Sequence, residues 1–237
     1  MKRPMIFALM LSLLFLTTGF ASERKTAVFA MEKAGEQTHQ VSVVDGLRIT
    51  IMGKNSEEIS KIPKLIVDGK EAAEINSSIS KLILEKYPME LTDYGYIDGY
   101  SVSYDWGVRG NIVSIVIYAD YLSEDSGDYV VFNYNLDTLK ALKDEEVVKM
   151  LGMTDKQFFS KTADAYRKYW KDSQWLDINN AEDAKYLDKS IKAINYDKTT
   201  PYITPGGNPG VLGTIYLPHS QFDHSERCFN LALLDAK

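Results

Sequence analysis

The chain has 237 residues, with 27 basic and 33 acidic side chains and a formal net charge of −6 at pH 7. This acidic balance argues against nucleic acid and against an anionic membrane surface as partners, because binding to phosphate groups relies on Lys and Arg. The single cysteine, Cys228, excludes an intrachain disulfide, so the fold depends on its apolar core for stability.

Residues 1–21 have the pattern of a signal peptide. Two basic residues precede an apolar run from Ile6 to Leu16, and Gly19 and Ala21 place small residues before a cleavage position. The apolar run is about half the roughly 20 residues that a membrane span needs. We therefore predict cleavage after Ala21, a periplasmic or secreted protein without a stable membrane anchor, and 25 basic against 33 acidic residues in the exported chain.

Residues 22–40 form a polar lead-in, and residues 41–237 are predicted to form a single α+β domain. Leu47, Ile49 and Ile51 alternate with polar residues, which indicates a half-buried strand. The stretch 59–67 also looks extended, and Pro63 favours an edge or irregular position for it. The segment DGKEAAEINSSISKLILEKY then changes to a helical period and predicts an amphipathic helix, with its apolar face formed by Ala72, Ile75, Ile79, Leu82 and Ile83.

Three strands follow in close succession, near 100–108, 111–121 and 128–136. Each alternates apolar and polar residues, and the connections between them are too short for crossovers. The pattern therefore predicts an antiparallel meander. After it, helices are predicted at 143–151, at 154–170 with a capping box at its start, and near 180–194.

The tail returns to extended structure at 202–204 and 211–217. The order of these elements predicts the α+β class, with an antiparallel meander sheet packed by amphipathic helices.

Two motifs resemble ligand loops and fail on their spacing. The glycines of TPGGNPGVLG are interrupted by prolines and lead into a strand, whereas a phosphate loop leads into a helix. The SEDSGD stretch has carboxylates but lacks the alternating register of a calcium loop. Neither motif indicates a metal or a cofactor.

The segment HSQFDHSERCFN gathers the most reactive side chains of the chain: His219, Asp223, His224, Glu226 and Cys228. The two histidines are five positions apart in a segment without a helical pattern, and on a strand that spacing turns them to opposite faces. The spacing fits no zinc motif, so we expect neither a metal centre nor a catalytic centre there.

Tyrosine is the remaining signal, because 15 tyrosines occur and several lie on both faces of the predicted meander. Core packing explains one face, and tyrosines on the other face suit an interface. Together with the acidic loop, this pattern suggests a ligand-binding site formed by Tyr121, Glu124, Asp125 and Asp128.

The block from Ile62 to Phe158, with its proline-containing extended stretch, helix, meander and the run NYNLDTLKALKD, resembles a known arrangement. It is similar to the extracytoplasmic domain of lysozyme-sensing anti-sigma factors and related exported bacterial domains. The resemblance implies recognition of a cationic enzyme. The loop YLSEDSGDYVV departs from the family, whose members have a Gly-Gly-Ala-His type loop there, so lysozyme binding does not carry over.

The leading functional hypothesis is an exported, non-enzymatic binding module of the bacterial cell envelope, with a cationic envelope protein or a glycan as partner. A negative charge would speed the encounter with a cationic partner. The alternative is a small cell-envelope hydrolase that uses the C-terminal His/Cys cluster.

Overall fold

The computed structural model describes residues 26–27, 39–54, 56–122, 126–173, 176–177, 179–218 and 224–231. The strands are β1 (Thr26–Ala27), β2 (Val41–Met52), β3 (Glu57–Val67), β4 (Lys70–Glu71), β5 (Met89–Leu91), β6 (Ile97–Arg109), β7 (Ile112–Tyr121), β8 (Ser126–Asn135), β9 (Lys140–Ala141), β10 (Thr199–Ile203), β11 (Pro209–Tyr216) and β12 (His224–Asn230). The helices are α1 (Ala73–Lys86), α2 (Asp144–Met150), α3 (Asp155–Asp172) and α4 (Ala181–Lys192). The predicted α+β class is confirmed.

The predicted meander is the centre of the molecule. Strands β6, β7 and β8 pair antiparallel in a five-stranded sheet of order β5-β6-β7-β8-β9. One face of these strands carries large apolar residues that pack on α1, and they include Val102, Ile115 and Ile117. The alternation seen in the sequence therefore corresponds to a buried face, as the two-residue period requires.

Strands β2 and β3 form a long hairpin that meets the edge of the central sheet. Pro63 lies opposite Asp45, where the register shifts at a bulge, so the missing N–H of the proline falls where the ladder is already interrupted. The two sheets are joined through Ser60, whose hydroxyl accepts a hydrogen bond from the Val102 N–H (3.0 Å) and donates to the Tyr100 carbonyl (3.2 Å).

The predicted amphipathic helix exists, but its predicted start was wrong. Asp68 and Gly69 have positive φ (51° and 75°) and form the two-residue turn between β3 and β4, as Asp-Gly does in primed hairpin turns. The helix begins at Ala73 and buries Ile75, Ile79 and Ile83. The side-chain amide of Asn76, in this helix, accepts a hydrogen bond from the Leu65 N–H (2.7 Å) and donates one to the Leu65 carbonyl (3.0 Å). These two bonds hold the helix on β3.

Helices α3 and α4 cover the sheet formed by β10, β11 and β12. The predicted capping box at the start of α3 is confirmed, since Thr154 and Gln157 exchange hydrogen bonds between side chain and backbone. Tyr166 and Trp170 of α3 and Ile215 of β11 are fully buried between these layers. Among the described residues, no helix is long and apolar enough to cross a membrane.

Strand β10 packs across the second face of the meander, on a row of small and polar residues. Gly107, Ser114 and Asn133 lie side by side on β6, β7 and β8. Asn133 donates to the Pro201 carbonyl (2.8 Å), and the Ile203 N–H donates to the Ser114 hydroxyl (2.8 Å).

A side chain at Gly107 would collide with the carbonyl oxygens of Ile203 and Thr204. Successive residues from β10 onward thus meet β8, β7 and β6 in turn, so this strand crosses all three strands of the meander.

Candidate binding surface

Two hairpin turns lie side by side at one end of the molecule. The Lys54 N–H, after β2, donates to the Gly95 carbonyl in the β5–β6 turn (2.8 Å), and Gly53 lies against the side chain of Ile97. The β5–β6 turn is fixed from within, because the Thr92 hydroxyl donates to the Tyr96 carbonyl (2.9 Å) and accepts from the Tyr96 N–H (3.1 Å). The described residues of the two turns therefore lie in direct contact.

This end exposes four large apolar side chains. The exposed fraction is 84% for Tyr94, 65% for Met52, 62% for Tyr96 and 52% for Leu91. Within the described part of the chain, neither tyrosine hydroxyl has a hydrogen-bond partner. We name these four residues the hairpin-tip surface.

Carboxylates lie close to the hairpin-tip surface in the sequence and in the strand pairing, in which Glu57 is opposite Met52 and Glu90 is opposite Asp98. Within 52–58 and 89–98 the chain has five acidic residues and one basic residue, Lys54. The acidic residues are Glu57, Glu58, Glu90, Asp93 and Asp98, and we name them the tip carboxylates. No ion pair among the described residues includes any of them. The surface thus carries unneutralised negative charge close to apolar side chains.

The predicted site residues lie beside this end, and two of them are described. The Leu122 N–H donates to the Gly99 carbonyl (2.9 Å), which places the end of β7 next to the start of β6. The ring of Tyr121 packs on Tyr100 at 4.9 Å, and Tyr100 packs on Tyr87 at 5.3 Å. Glu124 and Asp125 lie outside the described residues.

Asp128 has partners within the fold. Its carboxylate accepts from the Tyr87 hydroxyl (2.8 Å), pairs with the Lys86 ammonium (2.6 Å) and accepts from the Tyr129 N–H (2.8 Å). Burial opposes its ionisation, but these hydrogen bonds keep the pKa of Asp128 below its usual value. The charge of Asp128 therefore fastens the end of α1 to β8, and its role in ligand binding stays a prediction.

The C-terminal cluster is only partly described. Residues 219–223 lie outside the described residues, as does the side chain of His224, while 224–230 form β12 on the edge of the third sheet. Burial raises the pKa of the Cys228 thiol to about 11, with an opposing hydrogen bond from Tyr202. A thiol with a raised pKa is almost entirely protonated near neutral pH and is a poor nucleophile.

The remaining histidine, His39, links three segments. Its Nδ1 bonds the Asp68 carboxylate (2.8 Å) and its Nε2 bonds the Asp137 carboxylate (3.0 Å). These hydrogen bonds, first that of Asp137 and then that of Asp68, raise the pKa of His39. When the ring is protonated, both nitrogens donate to these carboxylates, and the cationic ring is then a clamp between the start of β2 and two turns. Among the described side chains, no group of His, Cys, Asp and Glu is arranged to hold a metal ion.

Comparison with known proteins does not identify a function for this surface. No model of a known protein family matches the chain, and no match to it was found among curated proteins.

The hairpin-tip surface was not predicted from the sequence, although the charge distribution contains a signal for it. The segment 89–137 contains nine acidic residues and one basic residue, Arg109, and eight of the 15 tyrosines. The tyrosines of the meander that were singled out are at least half-buried. The two most exposed tyrosines flank the glycine of LTDYGYID, a turn with acidic residues on both sides. A count of charged residues segment by segment would have pointed to these two tyrosines.

Proposed function

We propose that the protein is an exported, non-enzymatic binding protein of the bacterial cell envelope, and that it captures a cationic protein at the tip carboxylates. The observation that carries the proposal is the unneutralised negative charge at one end of the molecule. Clustered charge of one sign attracts an oppositely charged partner over about a Debye length and raises the association rate. The resemblance to lysozyme-sensing domains supports the same partner class, and the predicted signal peptide supports export.

The hydrolase alternative has less support. It needs an activated nucleophile, and the Cys228 thiol has a raised pKa and contacts tyrosines. A catalytic cysteine instead needs a neighbour that lowers its pKa. Screening the protein against a panel of esterase, amidase and glycosidase substrates tests this alternative directly.

The binding proposal is tested by surface plasmon resonance against basic proteins. Lysozyme, ribonuclease A and cytochrome c serve as probes, and a neutral chitin oligosaccharide represents the glycan class. We expect binding to at least one basic protein, with an affinity that falls as salt rises. A double variant, Glu90→Lys with Asp93→Lys, should slow association about tenfold or more, since rim charges act mainly on the association rate.

Asp188→Lys is the matched control, because Asp188 is an exposed acidic residue on α4, away from the tip carboxylates. It changes the net charge by two units in the same direction, against four for the double variant, and should have much less than half the effect on the logarithm of the association rate. A control effect half as large on that logarithm, in proportion to the charge change, would show that net charge alone drives binding. Turnover of a substrate that one polar substitution abolishes would refute the proposal.

A further inference from the structure

We infer that the hairpin-tip surface is the anchor of this contact, and that it fits a folded basic protein with an apolar patch ringed by Lys and Arg. The inference rests on the proposed function and adds the residues that hold the partner once charge has attracted it. Its basis is the presence, at one end of the molecule, of four exposed apolar side chains and five carboxylates that have no ion pair among the described residues.

The chemistry of the surface is that of a protein interface. Aromatic residues and Met are enriched at the centres of such interfaces, and a charged rim surrounds an apolar centre. Tyr94 and Tyr96 supply large rings with few rotatable bonds, so that ordering them on binding costs little entropy. The hydroxyls of both tyrosines are free to pair with a partner.

The two turns are organised before any partner arrives. Gly95 has a positive φ of 79°, its N–H donates to the Thr92 carbonyl (2.9 Å), and its own carbonyl accepts from Lys54. A turn fixed by four internal hydrogen bonds has little freedom left to lose, and preorganisation of this kind increases affinity. The contact between the turns also brings the end of β2, with Met52, to the same end of the molecule as the end of β5, with Leu91.

Other occupants fit the surface less well. A second copy of the chain would bring the same five carboxylates and single lysine against themselves, and like charges repel across an interface. An anionic membrane is disfavoured for the same reason. A glycan site is usually concave and encloses its ligand, whereas a tyrosine ring that is 84% exposed projects from the surface. A basic protein satisfies both the charge and the apolar centre.

The experiment measures association and dissociation rates separately for the full exported chain with lysozyme, ribonuclease A and cytochrome c. Poly-L-lysine serves as a cationic probe without apolar surface. We expect Tyr94→Ala and Tyr96→Ala each to increase the dissociation rate from a bound basic protein by about tenfold, in the range typical of hot-spot residues, with little change in association. Binding of poly-L-lysine should be unaffected by either substitution.

Leu91→Ala and Leu84→Ala form a matched pair, because both leucines are about equally exposed (52% and 47%) and Leu84 lies on α1. Only Leu91→Ala should speed dissociation. The variants replace exposed side chains, and unchanged thermal unfolding verifies that they fold.

Each contrary outcome is distinct. If Glu90→Lys with Asp93→Lys weakens binding while the tyrosine variants bind like the wild type, the anchor is wrong and the proposed function stands. If no basic protein binds, both fail. If the chitin oligosaccharide binds independently of salt and Tyr94→Ala abolishes that binding, the partner is a glycan. The proposed function and the anchor inference are then both overturned.

Discussion

Removal of one buried hydroxyl, in Ser114→Ala, tests how the layers are held together. Ser114 is fully buried, and its hydroxyl donates to Asn133 Oδ1 (2.6 Å) while it accepts from the Ile203 N–H (2.8 Å). Alanine leaves that N–H without a partner in a dry interface, which costs about 1–3 kcal/mol. The lost hydrogen bond to Asn133 adds about 1 kcal/mol. We therefore expect the free energy of unfolding to fall by about 2–4 kcal/mol.

Urea denaturation measures this change, and Thr162→Val provides the control. The Thr162 hydroxyl is also fully buried, but it donates to the Phe158 carbonyl within α3, and that carbonyl can keep its helical hydrogen bond. Its removal should therefore cost less than about 1 kcal/mol. For a domain of this size, Ser114→Ala should lower the melting temperature by about 5–15 °C. A loss no greater than that of Thr162→Val would refute the view that the polar row fastens β10 to the meander.

Three further predictions concern the close approach of β10 and two titrating groups. Gly107→Ala should destabilise the protein severely, because its Cβ would meet the Thr204 carbonyl, whereas Gly206→Ala, which has only ordinary contacts, should be nearly neutral in urea denaturation. The pKa of His39 is raised above its ordinary 6.5, so the clamp stabilises the fold fully below pH 6.5 and loses its effect as pH rises through the folded-state pKa. His39→Gln should remove that decline in thermal unfolding measured across neutral pH, and an unchanged decline would contradict the clamp. Burial raises the pKa of Asp144 from 3.8 to about 6, so the free energy of unfolding falls as pH rises between these two values. After a discount for partial exposure, Asp144→Asn should therefore be about 1 kcal/mol more stable than the wild type at pH 7. At pH 3.5 the variant and the wild type should be equally stable.

The elements of the fold could be predicted because each carries a local pattern. Apolar and polar residues alternate along the meander strands. Thr154 and Gln157 have the spacing of a capping box, and the structure forms it. The start of α1 was misplaced because Asp68 and Gly69 were assigned to the helix, although this pair favours a two-residue turn. What the sequence could not show is the crossing of β10. That packing depends on Gly107, Ser114 and Asn133 lying in one row, which requires the register of three strands.

The candidate site was harder to predict than the fold. Tyr121 and Asp128 were chosen for residue type and loop position, and the structure places the first in a ring cluster and the second in an ion pair. Whether a surface tyrosine is exposed depends on which neighbours cover it, and no spacing rule gives that. Tyr94 and Tyr96 lie in the β5–β6 turn, beyond the last pair of β6 with β7, which is Tyr100 with Tyr121.

The charge distribution yields a last prediction, because it acts on stability and binding in opposite directions. Segment 89–137 has nine acidic residues and one basic residue, whereas the rest of the chain has 24 acidic and 26 basic residues. Like charges that lie close together destabilise the free protein through repulsion, and Glu90, Asp93 and Asp98 of this segment belong to the tip carboxylates. Sodium chloride screens both the repulsion and the attraction to a cationic partner. Raising it from about 0.05 M to 0.5 M should increase the melting temperature of the free protein while weakening the complex. Neutralising Glu90 and Asp93 by Gln and Asn should reduce both salt effects together. A melting temperature that falls with sodium chloride would show that the tip carboxylates are neutralised within the fold, and the charge would then offer nothing to a partner.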